Sequence, residues 1–240
     1  MSYPDGAPCW VQLLTRDADG AQRFYAELFG WECRDQGGWA AAYLGDRPIG
    51  AITPSAEASD PPAWTVYLRT SDIAACAAQV EAAGGQIVEG PFNGYVLAKD
   101  PGGATFALWE PGPPGPAGAW AEPGAVSWAE VNAPDGKAAD AFYGSLFGYD
   151  QRQVPGGIDY ITYHAGGEPV CGRLQMDEHW AGVPPHWMVY FDVANLAEAT
   201  ATVTALGGAV PVPPVDSPFG RIAVISHPAA GFSTLRQPPT

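Results

Sequence analysis

The sequence predicts an α+β fold made of four βαβββ units, two in each of two tandem domains, and three observations predict it. Phe24-Tyr25-Ala26-Glu27-Leu28-Phe29-Gly30-Trp31 returns as Phe142-Tyr143-Gly144-Ser145-Leu146-Phe147-Gly148-Tyr149, and self-similarity at a large offset is the mark of a duplicated architecture. Between the copies lies Glu110-Pro111-Gly112-Pro113-Pro114-Gly115-Pro116-Ala117-Gly118, where proline removes backbone donors and glycine adds chain entropy, so neither helix nor central strand can run through it. Within each half, the apolar period changes from two to that of a helix and back again, twice.

The elements follow in order. Cys9 to Thr15 alternates in character and ends at Arg16-Asp17-Ala18-Asp19, where an acidic side chain can cap a helix. Ala21, Phe24, Tyr25, Leu28 and Phe29 recur at helical spacing until Gly30 stops the run. Strands are expected at Trp31 to Arg34, Trp39 to Leu44 and Pro48 to Thr53, with Gly37-Gly38 and Gly45-Asp46 as turns. The series then repeats: strand Ala63 to Arg69, a helix from Asp72 to Ala83 broken at Gly84-Gly85, and strands near Gln86 to Gly90, Tyr95 to Lys99 and Thr105 to Trp109. The second copy keeps this order. The domain limits are therefore read as 1–110 and 121–240, joined by a Pro/Gly linker at 111–120.

Composition narrows the partners. With 26 acidic against 11 basic residues and a formal charge of −15, the chain lacks the positive surface that phosphate contact requires, so nucleic acid and anionic membrane surfaces are excluded as partners. No run approaches the roughly 18 apolar residues of a membrane span, and no basic-then-hydrophobic leader opens the sequence, so the expected location is the cytoplasm. Cys9, Cys33, Cys76 and Cys171 are too irregularly spaced for a disulfide frame or a zinc knuckle and read as reduced thiols.

The Phe24-Tyr25 to Gly30-Trp31 segment, the Asp100-Pro101-Gly102-Gly103 turn before the last strand of the half, and their second copies resemble the vicinal oxygen chelate superfamily of glyoxalases, bleomycin resistance proteins and extradiol dioxygenases. The resemblance covers nearly the whole chain and is nearest to tandem glyoxalase-like proteins of high-GC bacteria. It implies two glyoxalase/bleomycin-resistance-like domains with curved mixed sheets around cup-shaped cavities. It also implies that a monomer suffices, since a duplicated chain forms internally what a single-domain relative forms by dimerising; a homodimer stays compatible.

In metal-dependent members, a His or Gln on the first strand, a His opening the fifth and a Glu on the last hold one divalent ion. Carried over, these positions fall on Trp10 and Trp128, Trp64 and Trp187, and Ala107 and Thr234. Indole and alanine have no donor for an ion, and threonine alone is a weak ligand. Gln12, Glu130 and His186 are the nearest substitutes; Gln12 and Glu130 share a strand face with Trp10 and Trp128, whereas His186 is one residue out of phase with Trp187. The resulting expectation is that no cofactor or metal is required.

Two readings of the four Trp compete: packing between domains, or walls of cups that stack on a flat, partly apolar ligand. On the second reading, one cup takes Trp10, Gln12, Leu14, Trp187, Val189, Phe232, Thr234 and Arg236, and the other Trp128, Glu130 and Asn132 with Trp64, Val66, Thr105, Ala107 and Trp109. Arg236 beside an aromatic wall suits a carboxylate or phenolate, and Glu130 suits a cationic or hydroxyl-rich ligand; Arg173 is a partner that would neutralise Glu130. His227 is expected in a turn and His179 in a flap after the fourth strand. The leading functional expectation is a metal-independent glyoxalase-like protein that binds a small aromatic or apolar molecule, for sequestration or resistance. The alternative is a lyase, isomerase or oxygenase-like enzyme acting on a small oxygenated substrate, with or without a divalent metal, and with Glu130 or His186 as its acid/base groups.

Overall fold

The computed structural model describes residues 3–55, 62–112, 115–229 and 231–239; Pro113 and Pro114 of the expected linker lie outside them. Repeat one runs β1 (Pro8–Thr15), α1 (Ala18–Phe29), β2 (Glu32–Asp35), β3 (Ala40–Leu44), β4 (Arg47–Pro54), β5 (Ala63–Arg69), α2 (Ile73–Ala82), β6 (Gln86–Phe92), β7 (Tyr95–Lys99) and β8 (Thr105–Trp109). Repeat two runs β9 (Val126–Ala133), α3 (Gly136–Phe147), β10 (Asp150–Gln153), β11 (Tyr160–Ala165), β12 (Glu168–Gln175), a single 3-10 turn at Glu178–Trp180, β13 (His186–Asp192), α4 (Leu196–Ala205), β14 (Ala209–Ser217), β15 (Gly220–Ser226) and β16 (Phe232–Gln237). The four βαβββ units are present in the expected order.

The helix ends are written in the sequence. Asp17 accepts from the Gly20 amide at 2.8 Å and Asp135 from the Ala138 amide at 3.0 Å, each satisfying a donor that a first helical turn leaves open. Gly30 and Gly148 close α1 and α3 with φ of 74° and 64°, the left-handed region where only glycine escapes a Cβ penalty.

The strands form two eight-stranded mixed sheets, ordered β2-β3-β4-β1-β5-β8-β7-β6 and β10-β11-β12-β9-β13-β16-β15-β14. Pairs β1/β4, β5/β8, β12/β9 and β13/β16 are parallel. Each order ends on two unpaired edges, so neither sheet closes, and the expectation of curved sheets around cup-shaped cavities is corrected. Charge on the edges gives the reason: β2 carries Glu32, Arg34 and Asp35, and β10 (Asp-Gln-Arg-Gln) is exposed throughout, which blocks further strand pairing. Two cavities lie beside helices. One of 170 Å³ is lined by Asp100, Pro101, Asp135 and Pro185, and one of 520 Å³ by Asp17, Arg23, Phe24, Glu27, Leu206 and His227.

Contacts divide the chain into two compact units, each assembled from both repeats: Met1–Cys9, Thr65–Gly115 and Ala129–Trp187, and Trp10–Trp64, Pro116–Trp128 and Met188–Thr240. The core of the second unit is aromatic. Tyr25 stacks on Trp31 at 5.1 Å, Phe29 meets Phe191 at 5.0 Å, and the Trp31 indole donates to the Gly124 carbonyl at 2.7 Å. Gly124 has φ of 86° and a Cβ there would lie 2.9 Å from the Phe29 carbonyl oxygen, so this close approach admits only glycine. In the other unit Phe106, Phe142 and Tyr143 pack edge to face. Arg173, 2% exposed, binds Asp140 of α3 through two hydrogen bonds and reaches Asp159 at 2.8 Å. It is therefore not a partner of Glu130. All four cysteines are free, with Cys9, Cys76 and Cys171 buried, and no described helix is long and apolar enough to cross a membrane.

Candidate functional site

Alternation decides what each strand offers on its two faces. On β1, Cys9, Val11 and Leu13 are fully buried on one face, which leaves Trp10, Gln12 and Leu14 on the other; Gln12 donates to Thr53 Oγ1 at 2.9 Å. On β9, Ala129 and Val131 are likewise fully buried, and Trp128, Glu130 and Asn132 take the opposite face. Trp10 and Trp128 thus stand in phase with Gln12 and Glu130.

Trp64 and Trp187 are placed differently. The Trp64 ring meets Tyr25 of α1 at 5.6 Å, and the Trp187 indole donates to Tyr143 Oη of α3 at 2.9 Å. Both indoles face helices, opposite to the cup walls that the sequence leads one to expect. The reason is register: a shift of one residue exchanges the faces of a strand, and the helix-free face of β13 carries His186, Met188, Tyr190 and Asp192 instead. That phase brings His186 to the side of Asn132.

His186, Asn132 and Glu130 are polar residues of this face, His186 half-buried and the other two buried. Asn132 is fully buried and Glu130 is 4% exposed. The His186 Nδ1 lies 2.8 Å from the Pro184 carbonyl oxygen and its Nε2 lies 3.0 Å from Asn132 Nδ2. A carbonyl only accepts, so Nδ1 carries the hydrogen and Nε2 receives the Asn132 N–H. Burial lowers the His186 pKa below 6.5, because desolvation disfavours the imidazolium. The Trp180 ring of the 3-10 turn stands 6.0 Å from the imidazole. The Asn132 carbonyl oxygen is buried with no hydrogen-bond partner among the described residues. Nothing in the spacing signals a contact between residues 54 positions apart.

The remaining candidates are placed as follows. Arg236 is held by Asp192 through Nε at 2.7 Å and Nη2 at 3.0 Å, Thr234 is 1% exposed, and Phe232 is 58% exposed. Trp109 stands edge-on to Tyr67 at 6.2 Å, with Tyr95 and Phe92 continuing the aromatic row. His227 accepts the Ala229 amide at Nδ1, a turn contact, and His179 is exposed against Asp177.

Residues 9–108 match the family model of the Glyoxalase/Bleomycin resistance protein/Dioxygenase superfamily. The chain is 33% identical to a putative glyoxylase, CFP32, of Mycobacterium bovis over 99% of its own length and 97% of the relative's. It is 31% identical to the anthracycline biosynthesis protein DnrV of Streptomyces peucetius, over 97% and 94%. Among solved structures, the Mn(II)-bound glyoxalase from Novosphingobium aromaticivorans superposes with a TM-score of 0.69 at 16% identity, covering 98% of this chain and 83% of that one. The 2,3-dioxygenase LapB from Pseudomonas sp. KL28 does so at 0.67 and 12%, covering 100% and 94%.

The Mn(II)-bound structure corrects the expectation that no cofactor is required: chains of this fold include one that holds an ion, and freedom from metal is no longer assigned here. The donors among the described residues do not assemble a ligand set, however. Among the described residues no three His, Cys, Asp or Glu side chains converge, and His186 has both ring nitrogens engaged, so no chemical step is routed through an ion. Two repeats with matching units, sheets of the same strand order, and a relative aligned over almost its whole length lead to one conclusion: the chain belongs to the glyoxalase/bleomycin resistance protein/dioxygenase superfamily.

Proposed function

We propose that this chain is an enzyme of the lyase or isomerase kind that moves a proton on a small, oxygenated, partly aromatic substrate, with His186 as the proton carrier and Glu130 as the second acid/base group of the same strand face. The observation that carries the reading is the neutral His186 with its Nε2 lone pair turned toward a buried amide on the strand face that also holds Glu130. A base poised below 6.5 is unprotonated at neutral pH and ready to accept. His186 takes a proton from an activated C–H or O–H of the substrate and returns it to a neighbouring atom, which needs no outside oxidant. The named relatives support the substrate class: one is a putative glyoxylase and another serves anthracycline biosynthesis, both of which point to oxygenated small molecules.

The domain division at 1–110 and 121–240 and a cytoplasmic location, favoured by four free thiols, belong to the same proposal. Its test is solvent-deuterium uptake, followed by NMR, into 2-hydroxy ketones and hydroxyanthraquinones. Exchange catalysed by the native protein should fall about 100-fold or more in His186→Gln. Equal exchange in that variant would remove His186 from the mechanism.

A further inference from the structure

Asn132 is buried to the last atom, yet only one end of its amide is matched: Nδ2 meets His186 Nε2 at 3.0 Å while Oδ1 has no partner among the described residues. An unsatisfied buried carbonyl costs about 1–3 kcal/mol, so its persistence asks for a second state in which it is used. The imidazole supplies one. Because Nδ1 is tied to the Pro184 carbonyl, any proton that His186 gains must sit on Nε2, facing the amide. There the Asn132 N–H would oppose it, but half a turn of the amide would present Oδ1 as acceptor. One side chain can thus serve both forms of the ring, N–H to a bare Nε2 and C=O to a protonated one.

We propose that Asn132 is the positioning residue for His186, reversing its amide so that the imidazole can take and return one proton while staying in place. This rests on the reading of His186 as proton carrier, but it concerns the pair alone and is measured without substrate. The charged and titratable groups that share the site's face or flank the ring are Glu130 on β9, Tyr190 and Asp192 further along β13, and Asp177, Glu178 and His179 in the segment that carries Trp180; all are left unchanged.

The experiment is ¹⁵N NMR titration of His186 in the full chain, assigned with His186→Gln among only four histidines. At high pH the native protein should show the Nδ1–H tautomer. Asn132→Asp, close in shape, keeps an acceptor and adds charge, and should raise the His186 midpoint by about one unit. Asn132→Leu offers the imidazolium nothing and should lower it. The midpoints should therefore run Leu, Asn, Asp from low to high; if Leu does not fold, the Asn and Asp proteins still decide. An Nε2–H tautomer in the native protein, or midpoints that coincide, overturns the proposal. The expected order in a protein that exchanges no substrate proton would leave this inference standing and sink only the proposed activity.

Discussion

Trp187 and Tyr143 are joined across the helix side of their unit: the indole Nε1 donates to the phenol oxygen at 2.9 Å, and the phenol donates onward to Asp100 Oδ2 at 3.1 Å. Burial pushes the Asp100 carboxyl up from its ordinary range, while the Ala104 amide and this phenol pull it back. Tyr143→Phe keeps the ring packing but leaves an indole N–H and a carboxylate oxygen without their common partner. The expected cost is about 1–3 kcal/mol, read as a lower urea midpoint at unchanged slope. An unchanged midpoint would mean that water replaces the hydroxyl.

Arg236 and Asp192 make a second test. Asp192 is 2% exposed and accepts two side-chain hydrogen bonds from Arg236. Removing the guanidinium strands a buried charge, so Arg236→Met should cost about 3–5 kcal/mol. The double variant Arg236→Met, Asp192→Asn should recover most of that loss. If the single variant is as stable as the native chain, Arg236 is free to bind a ligand after all.

These contacts mark where the sequence could be read and where it could not. The repeat, the Asp caps and the Gly stops lie close together along the chain, and all four helices begin within a residue or two of their capping side chain. Strand phase on β5 and β13 was harder. On β13, Trp187, Met188 and Val189 are buried in succession, so the polar alternation that would have fixed the faces is missing, and matching Trp64 to Trp187 aligns the copies without saying which way either ring points. His186 was consequently set one residue out of phase with the site. Its bond to Asn132, and that of Arg236 to Asp192, join distant positions and leave no local trace.

Gly172 and Tyr160 test the strand face that carries Glu130. Gly172 pairs in register with Glu130, and a Cβ on it would lie 2.3 Å from the Tyr160 hydroxyl oxygen and 2.8 Å from Cζ. The missing side chain is what lets the phenol lie over β12. Gly172→Ala should therefore destabilise the protein by about 1–3 kcal/mol through overpacking, and adding Tyr160→Leu should return much of it. A Gly172→Ala protein of native stability would show that the phenol has another resting place.

The last expectation concerns acid. His186 and His227 both have folded pKa values lowered from 6.5, first by burial. The folded state then binds fewer protons than the unfolded one, so the stability these residues contribute is full above pH 6.5 and declines as pH falls from there through the lowered values. Within that window each histidine accounts for a slope of about 1.4 kcal/mol per pH unit. Urea unfolding at pH 7.5, 6.5 and 5.5 should show the native chain weakening with acid more steeply than the His186→Gln, His227→Gln double variant. Parallel pH dependence in the two proteins would place the acid sensitivity on other groups and would remove the reason for holding His186 neutral at its post beside Asn132.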